Sequence, residues 1–148
     1  MKQAILDTDT LSYVLDKRYP GVDATAHQYL RVFRYFSVSA ATITEVVRGF
    51  AKDQNGFATS KFLQDAESYE VFPIGLTEAA LAGVIMGALE RGGMKIRSEV
   101  PFIAATAIAN SRVLITNNIK HYQRIVVLGY PLQLDNWRQP QGPDPSEI

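Results

Sequence analysis

Two aspartates one residue apart, Asp7 and Asp9, stand directly after the apolar run Ala4-Ile5-Leu6. Carboxylates this close repel each other unless a proton or a cation comes between them, so the pair points to acid–base or metal chemistry. Two further acids are candidates to join them. Glu45 lies in Thr42-Ile43-Thr44-Glu45-Val46-Val47, among apolar neighbours, where a lone buried carboxylate is costly and one sharing a cation with Asp7 is compensated. The competing reading is a solvent-facing acid near a helix start, favoured by the helix dipole. Glu99 also stands at a helix start, and there the dipole alone accounts for it. With no cysteine and only two histidines, thiolate and zinc-type sites are excluded, so a metal here has oxygen ligands.

These residues need elements that carry them to one place. Gln3 to Leu6 reads as a short buried strand, followed by a helix through Leu11, Val14 and Leu15 with Asp9 or Thr10 as its cap, ending before Tyr19-Pro20-Gly21. A second helix spans Val22 to about Arg34 and leads to a strand at Ser37 to Ala40. Thr42 opens a third helix, with Ile43, Val46, Val47 and Phe50 at helical spacing and Asn55-Gly56 as its stop. Phe57 to Ser68 is helical, Tyr69 to Ile74 a strand, and Thr77 to Arg91 an apolar helix closed by Gly92-Gly93. Ser98 caps a helix over Glu99 to Asn110, with Pro101 in the first turn, where its missing N–H costs little. Arg112 to Thr116 is a strand running into Asn117-Asn118, followed by a short helical turn through Tyr122 and an edge strand around Leu132 to Leu134.

Strands alternating with helices predict a three-layer α/β/α sandwich with a mostly parallel central sheet. In such sheets ligands bind beyond the carboxyl ends of the strands, and Asp7, Thr116 and Asn118 all follow a strand, so they can meet on one rim. The chain has 148 residues, 47% of them hydrophobic, which suits one domain with a sizeable core over residues 1 to 138. Residues 139 to 148, QPQGPDPSEI, are rich in proline and polar residues and read as a disordered tail. No signal sequence and no run approaching about 18 apolar residues is present, which predicts a cytoplasmic protein without a membrane partner. Formal net charge is zero, but between Arg91 and Arg124 the cations Arg91, Lys95, Arg97, Arg112, Lys120 and Arg124 face a single acid, Glu99. This half can face a polyanion, or it is simply a solvated basic face.

The apolar strand followed by Asp-x-Asp-x-Thr resembles the first motif of haloacid dehalogenase-type phosphatases, but that chemistry needs carboxylates downstream to hold magnesium, and after Glu99 the next acid is Asp135. A wider resemblance covers most of the chain. LDTDTLSYVL, SAATITEVVRGF, IAATAIANSRVLITNNIKHYQRI and a terminal strand ending at Trp137 occur in the order and spacing of the PIN-domain family, specifically its VapC-type toxins.

That resemblance implies a ribonuclease using Mg²⁺ or Mn²⁺ to activate water against RNA phosphodiesters. It makes Asp7 the first acid and Glu45 the second, with Thr116 and Asn118 as the Thr-x-Asp/Asn pair after the fourth strand. It matches Arg48-Gly49 to the basic residue and glycine after the second acid. Lys120, His121 and Arg124, just beyond, are candidate contacts to the RNA backbone. A VapB-type antitoxin and a homodimer are implied as partners. The aromatic residues Tyr29, Phe33, Tyr35, Phe36, Phe50, Phe57 and Phe62 suit either an exposed groove for such a partner or an aromatic core.

One position departs from the family pattern. The third acid is expected where this chain has Val100, and Glu99 is offset by one, about 100° around a helix. Three outcomes follow: Glu99 substitutes as a metal ligand and catalytic acid, the metal site is depleted, or the chain is a catalytically weakened PIN domain that binds RNA or protein. The first is the reading adopted, and Val100 is expected to face the core with Ile103, Ala104, Ala107 and Ile108.

Overall fold

The computed structural model describes residues 1–138; the stretch 139–148, read above as a tail, lies outside the described residues. In chain order the elements are β1 (Ala4–Leu6), α1 (Thr8–Asp16), α2 (Pro20–Phe33), β2 (Ser37–Ser39), α3 (Ala40–Lys52), α4 (Gly56–Ala66), β3 (Glu70–Phe72), α5 (Leu76–Arg91), α6 (Glu99–Ala109), β4 (Val113–Ile115), α7 (Ile119–Val127) and β5 (Leu134–Asp135). All strand pairings are parallel. β4 is central to one hydrogen-bonded sheet, with β1 and β5 on either side, and β2 pairs with β3 in the other. The Cα atoms of β1 and β2 come within 8 Å, so the two sheets lie edge to edge.

Strand alternation builds the layers. Ile5 of β1 and Leu114 of β4 point into a core made with Ile85 and Leu89 of α5, Val100, Ile103 and Ala104 of α6, and Tyr122 and Ile125 of α7. Their neighbours Ala4, Leu6 and Ile115 point to the opposite side, into a core with Leu11, Val22, Ala26, Tyr29, Phe36, Phe62 and Trp137. The expected α/β/α sandwich is therefore present, with α5, α6 and α7 over one face and α1 and α2 over the other. Each fully buried Leu or Ile contributes roughly 1.5–3 kcal/mol. Val100 has 3% of its surface exposed and packs in the first core, the apolar role expected of it.

Several helix starts differ from the sequence reading. The cap of α1 is Asp7, whose carboxylate accepts from the Thr8 N–H, rather than Asp9 or Thr10. α3 begins two residues before Thr42, capped by the Ser39 hydroxyl, which accepts from the Ala41 N–H. Asn55 does not merely stop α3, because its side chain caps α4 by accepting from the Ala58 N–H. Ser98 makes no side-chain cap. In each corrected case the capping oxygen sits where a strand or loop delivers it, which local patterning does not resolve. The aromatic residues divide: Tyr29, Phe36 and Phe62 are core, whereas Tyr35 and Phe57 are exposed.

Candidate active site

The site grows from the carboxyl ends of β1 and β4. The Asp7 N–H donates to the Ile115 carbonyl at 2.8 Å, which carries the parallel ladder one residue past β1 and fixes Asp7 at the rim. The Thr10 hydroxyl donates to the same carbonyl at 3.2 Å, clamping the first turn of α1 on the end of β4. The Thr8 hydroxyl donates to the Thr42 hydroxyl at 3.3 Å, so the starts of α1 and α3 are held side by side.

Asp7 is 6% exposed, yet its carboxylate receives three donors. The Thr116 hydroxyl donates to Oδ2 at 2.7 Å, and Oδ1 accepts from the Tyr122 hydroxyl at 3.1 Å and the Thr8 N–H at 2.8 Å. Those bonds favour the charged form, but burial and the neighbouring Asp9 outweigh them and push the carboxyl up to about 6. Burial raises Asp9 as well, against bonds from the Thr10 N–H at 2.6 Å and the Asn117 N–H at 3.0 Å, and the charge of Glu45 adds to the rise. Tyr122 is held far above its ordinary value by burial and by Asp7, so it stays a hydroxyl donor. Asp7, Asp9 and Glu45 thus share one electrostatic environment, and the donors around the aspartates are hydroxyls and backbone N–H groups rather than cations.

The other residues singled out from sequence fall around this centre. Thr116 is fully buried, and having donated to Asp7 it accepts from the Asn118 N–H at 2.9 Å, so its hydroxyl positions Asp7. Asn118 opens α7 without a side-chain cap. Glu45 pairs with Arg97 at 3.8 Å and Glu99 with Arg48 at 3.0 Å, so Arg48 meets an acid of the neighbouring helix. Lys120 is exposed on α7. Arg124 donates to the Lys95 carbonyl at 3.4 Å, joining α7 to the loop before α6. His121 has a buried Nδ1 without a hydrogen-bond partner among the described residues.

Tyr122, Asn117 and the anchoring of Asp9 were not found from sequence. A signal for Tyr122 existed: it shares a helix face with Ile125, and that helix begins at the rim.

Among the described residues no three acids or histidines already stand at the spacing of a metal site. The donor chemistry nevertheless suits a hard divalent cation. Asp7, Asp9 and Glu45 offer oxygen only, and Asp7 and Asp9 repel each other in a buried setting where a cation would relieve both.

No protein-family profile and no curated protein matches the chain. Solved structures do. VapBC2 from Rickettsia felis, determined bound to a DNA fragment from its promoter, aligns with a TM-score of 0.73 at 25% identity, over 90% of this chain and 98% of that one. The chain has the fold of a PIN-domain toxin of the VapC type. VapBC-1 from nontypeable Haemophilus influenzae aligns with a TM-score of 0.74 at 24% identity, over 92% of this chain and 98% of that one. DNA-bound VapBC from Salmonella typhimurium gives 0.74 at 20% identity, over 93% and 99%. Val100, the position at which the sequence resemblance expects a third acid, faces the core, and the carboxylate beside it, Glu99, faces Arg48.

Proposed function

We propose that the chain is a divalent-cation-dependent ribonuclease, a VapC-type toxin neutralised by a VapB-type antitoxin. The observation that carries this reading is the Asp7 carboxylate at the sheet rim, held by Thr116 and Tyr122, raised first by its burial and then by Asp9, with no lysine or arginine among its donors. Such an arrangement costs stability in a purely structural role and is rational where a cation completes it. Asp7 and Glu45 hold Mg²⁺ or Mn²⁺ in this reading, with Asp9 beside them and Glu99 available once it leaves Arg48. The ion, when bound, lowers the pKa of water and offsets charge on the phosphate under attack.

The chain's own residues do the rest. Thr116 and Tyr122 keep the Asp7 carboxylate in one orientation, and the Asn117 N–H does the same for Asp9. Asn118 orients the scissile phosphate. Arg48, Lys120 and Arg124 bind the RNA backbone by charge and His121 by hydrogen bonding, without reading sequence. The nuclease unit is residues 1–138, acting in the cytoplasm as a homodimer. Exposed apolar side chains such as Phe57, Leu63 and Val32 offer the antitoxin its contact surface, and Leu76 and Val84 of α5 offer the second subunit its own.

The test is incubation of the full chain with RNA and Mg²⁺ or Mn²⁺. Cleavage is expected, and is expected to stop with EDTA or in Asp7→Ala; cleavage that survives in Asp7→Ala overturns the reading. A second reading, a catalytically weakened PIN domain that binds RNA or protein, is favoured by the burial of Val100 where an acid stands in the family. It predicts RNA binding without turnover, and activity raised by Val100→Asp.

A further inference from the structure

Glu45 and Glu99 are each covered by an arginine, and the two pairs cross between the same two segments. α3 supplies Glu45 and Arg48, while the chain entering α6 supplies Arg97 and Glu99. Exposure is divided unequally within them: the glutamate side chains retain 11% and 13%, their arginines 60% and 66%. Of each pair the acid is the fixed member and the guanidinium the one with room to leave.

The pairs also differ from each other. Arg48 approaches Glu99 at 3.0 Å, whereas Arg97 stays 3.8 Å from Glu45, beyond direct hydrogen-bond reach. Glu45 is therefore offset by the field of a neighbouring cation without being tied to it. Its charge reaches Asp9 and Tyr122, the immediate neighbours of Asp7. Arg97 belongs to the loop that carries Lys95, whose carbonyl holds Arg124 of α7. A guanidinium swinging off Glu45 therefore stays on the basic surface beside the acids.

We propose that Arg97 is a resident counter-ion of Glu45 that a divalent cation displaces and that then binds a phosphate of the RNA strand. This rests on the cation-dependent reading above. The physical reason is that a guanidinium and a divalent ion repel each other at one carboxylate, and a phosphate arriving beside them offers the displaced charge a better partner. Cation and RNA binding are then coupled, each strengthening the other through one side chain.

The experiment is titration of the full chain with Mn²⁺ by calorimetry, without RNA, for wild type, Arg97→Gln, Arg97→Lys and Lys95→Gln. A parallel measurement follows anisotropy of a non-cleavable 2′-O-methyl RNA in saturating Mn²⁺. Arg97→Gln is expected to bind Mn²⁺ about 2- to 5-fold more tightly and the RNA about 2- to 5-fold more weakly, the range for one partly exposed charge pair. Arg97→Lys is expected to stay near wild type in both. Lys95→Gln, which removes the same charge from the same loop, is expected to change Mn²⁺ affinity less than about 2-fold. Equal tightening by Lys95→Gln, or unchanged or weaker Mn²⁺ binding in Arg97→Gln, overturns the proposal while leaving the cation site standing. Absence of Mn²⁺ uptake by wild type overturns the cation-dependent reading and this proposal with it.

Discussion

The two ends of the parallel strands treat buried charge in opposite ways. At the amino ends, Arg112 meets Glu70 at 3.1 Å, the Ser37 hydroxyl donates to the same carboxylate oxygen at 2.8 Å, and the guanidinium lies 5.1 Å from the centre of the Phe72 ring. One cation answers one acid there, and the cluster ties the starts of β2 and β3 to the residue before β4. At the carboxyl ends, Asp7 is more deeply buried than Glu70, and it and the half-buried Asp9 receive hydroxyl and backbone donors instead. The first arrangement is complete within the chain. In the second, burial raises both carboxyls and Asp9 adds to the rise at Asp7, a cost that a proton or an added cation would relieve, as the proposed function requires.

The largest effect separating the two ends is on cleavage. Asp7→Asn is expected to lower the rate of RNA cleavage by on the order of 10³-fold while leaving the chain folded, since Asn is nearly isosteric, its one oxygen still accepts from Tyr122 and the Thr8 N–H, and its amide N–H₂ can donate to the Thr116 hydroxyl. Arg112→Met is expected to do the reverse: thermal or urea unfolding shows a loss of about 2 kcal/mol, and cleavage per folded molecule is unchanged. A fall in activity in Arg112→Met without a fall in stability would erase the distinction between the ends. A smaller effect comes from the donors on Asp7. Thr116→Val, which removes the 2.7 Å bond and the acceptor for the Asn118 N–H, is expected to weaken Mn²⁺ binding about 10-fold by calorimetry. Tyr122→Phe, which removes the 3.1 Å bond alone, is expected to weaken it less, by about 3-fold.

Much of this geometry was legible in the sequence. The apolar runs before Asp7 and Thr116 mark strands that end in polar residues, and parallel α/β order puts such ends on one rim. Glu45 was legible as an acid with apolar neighbours, and Val100 as a core residue in a helical apolar stripe. What stayed hidden depends on tertiary placement. Asp7 displaced Asp9 as the helix cap because the ladder with Ile115 delivers it there, and Asp9 was thereby left to meet the Asn117 N–H from a distant loop. Tyr122 reads as an ordinary core aromatic until its hydroxyl is seen to reach Asp7. The pairing of Arg97 with Glu45 and Arg48 with Glu99 joins segments far apart in sequence, so neither charge pattern alone announces it.

The most direct test of the central claim, that the rim holds carboxylates awaiting a cation, is the unfolding free energy of wild type and Asp7→Asn between pH 4 and pH 7, with EDTA and with Mn²⁺. Asp7 has an ordinary value near 3.8 and stands at about 6 in the fold. Between those values the folded chain binds more protons than the unfolded chain, so metal-free stability from this group falls as pH rises through the window. In EDTA, Asp7→Asn is therefore expected to gain on wild type as pH rises from about 4 to 6, reaching on the order of 2 kcal/mol. Saturating Mn²⁺ is expected to close that gap by stabilising wild type alone. A constant difference across the range, or equal stabilisation of both proteins by Mn²⁺, would contradict the account.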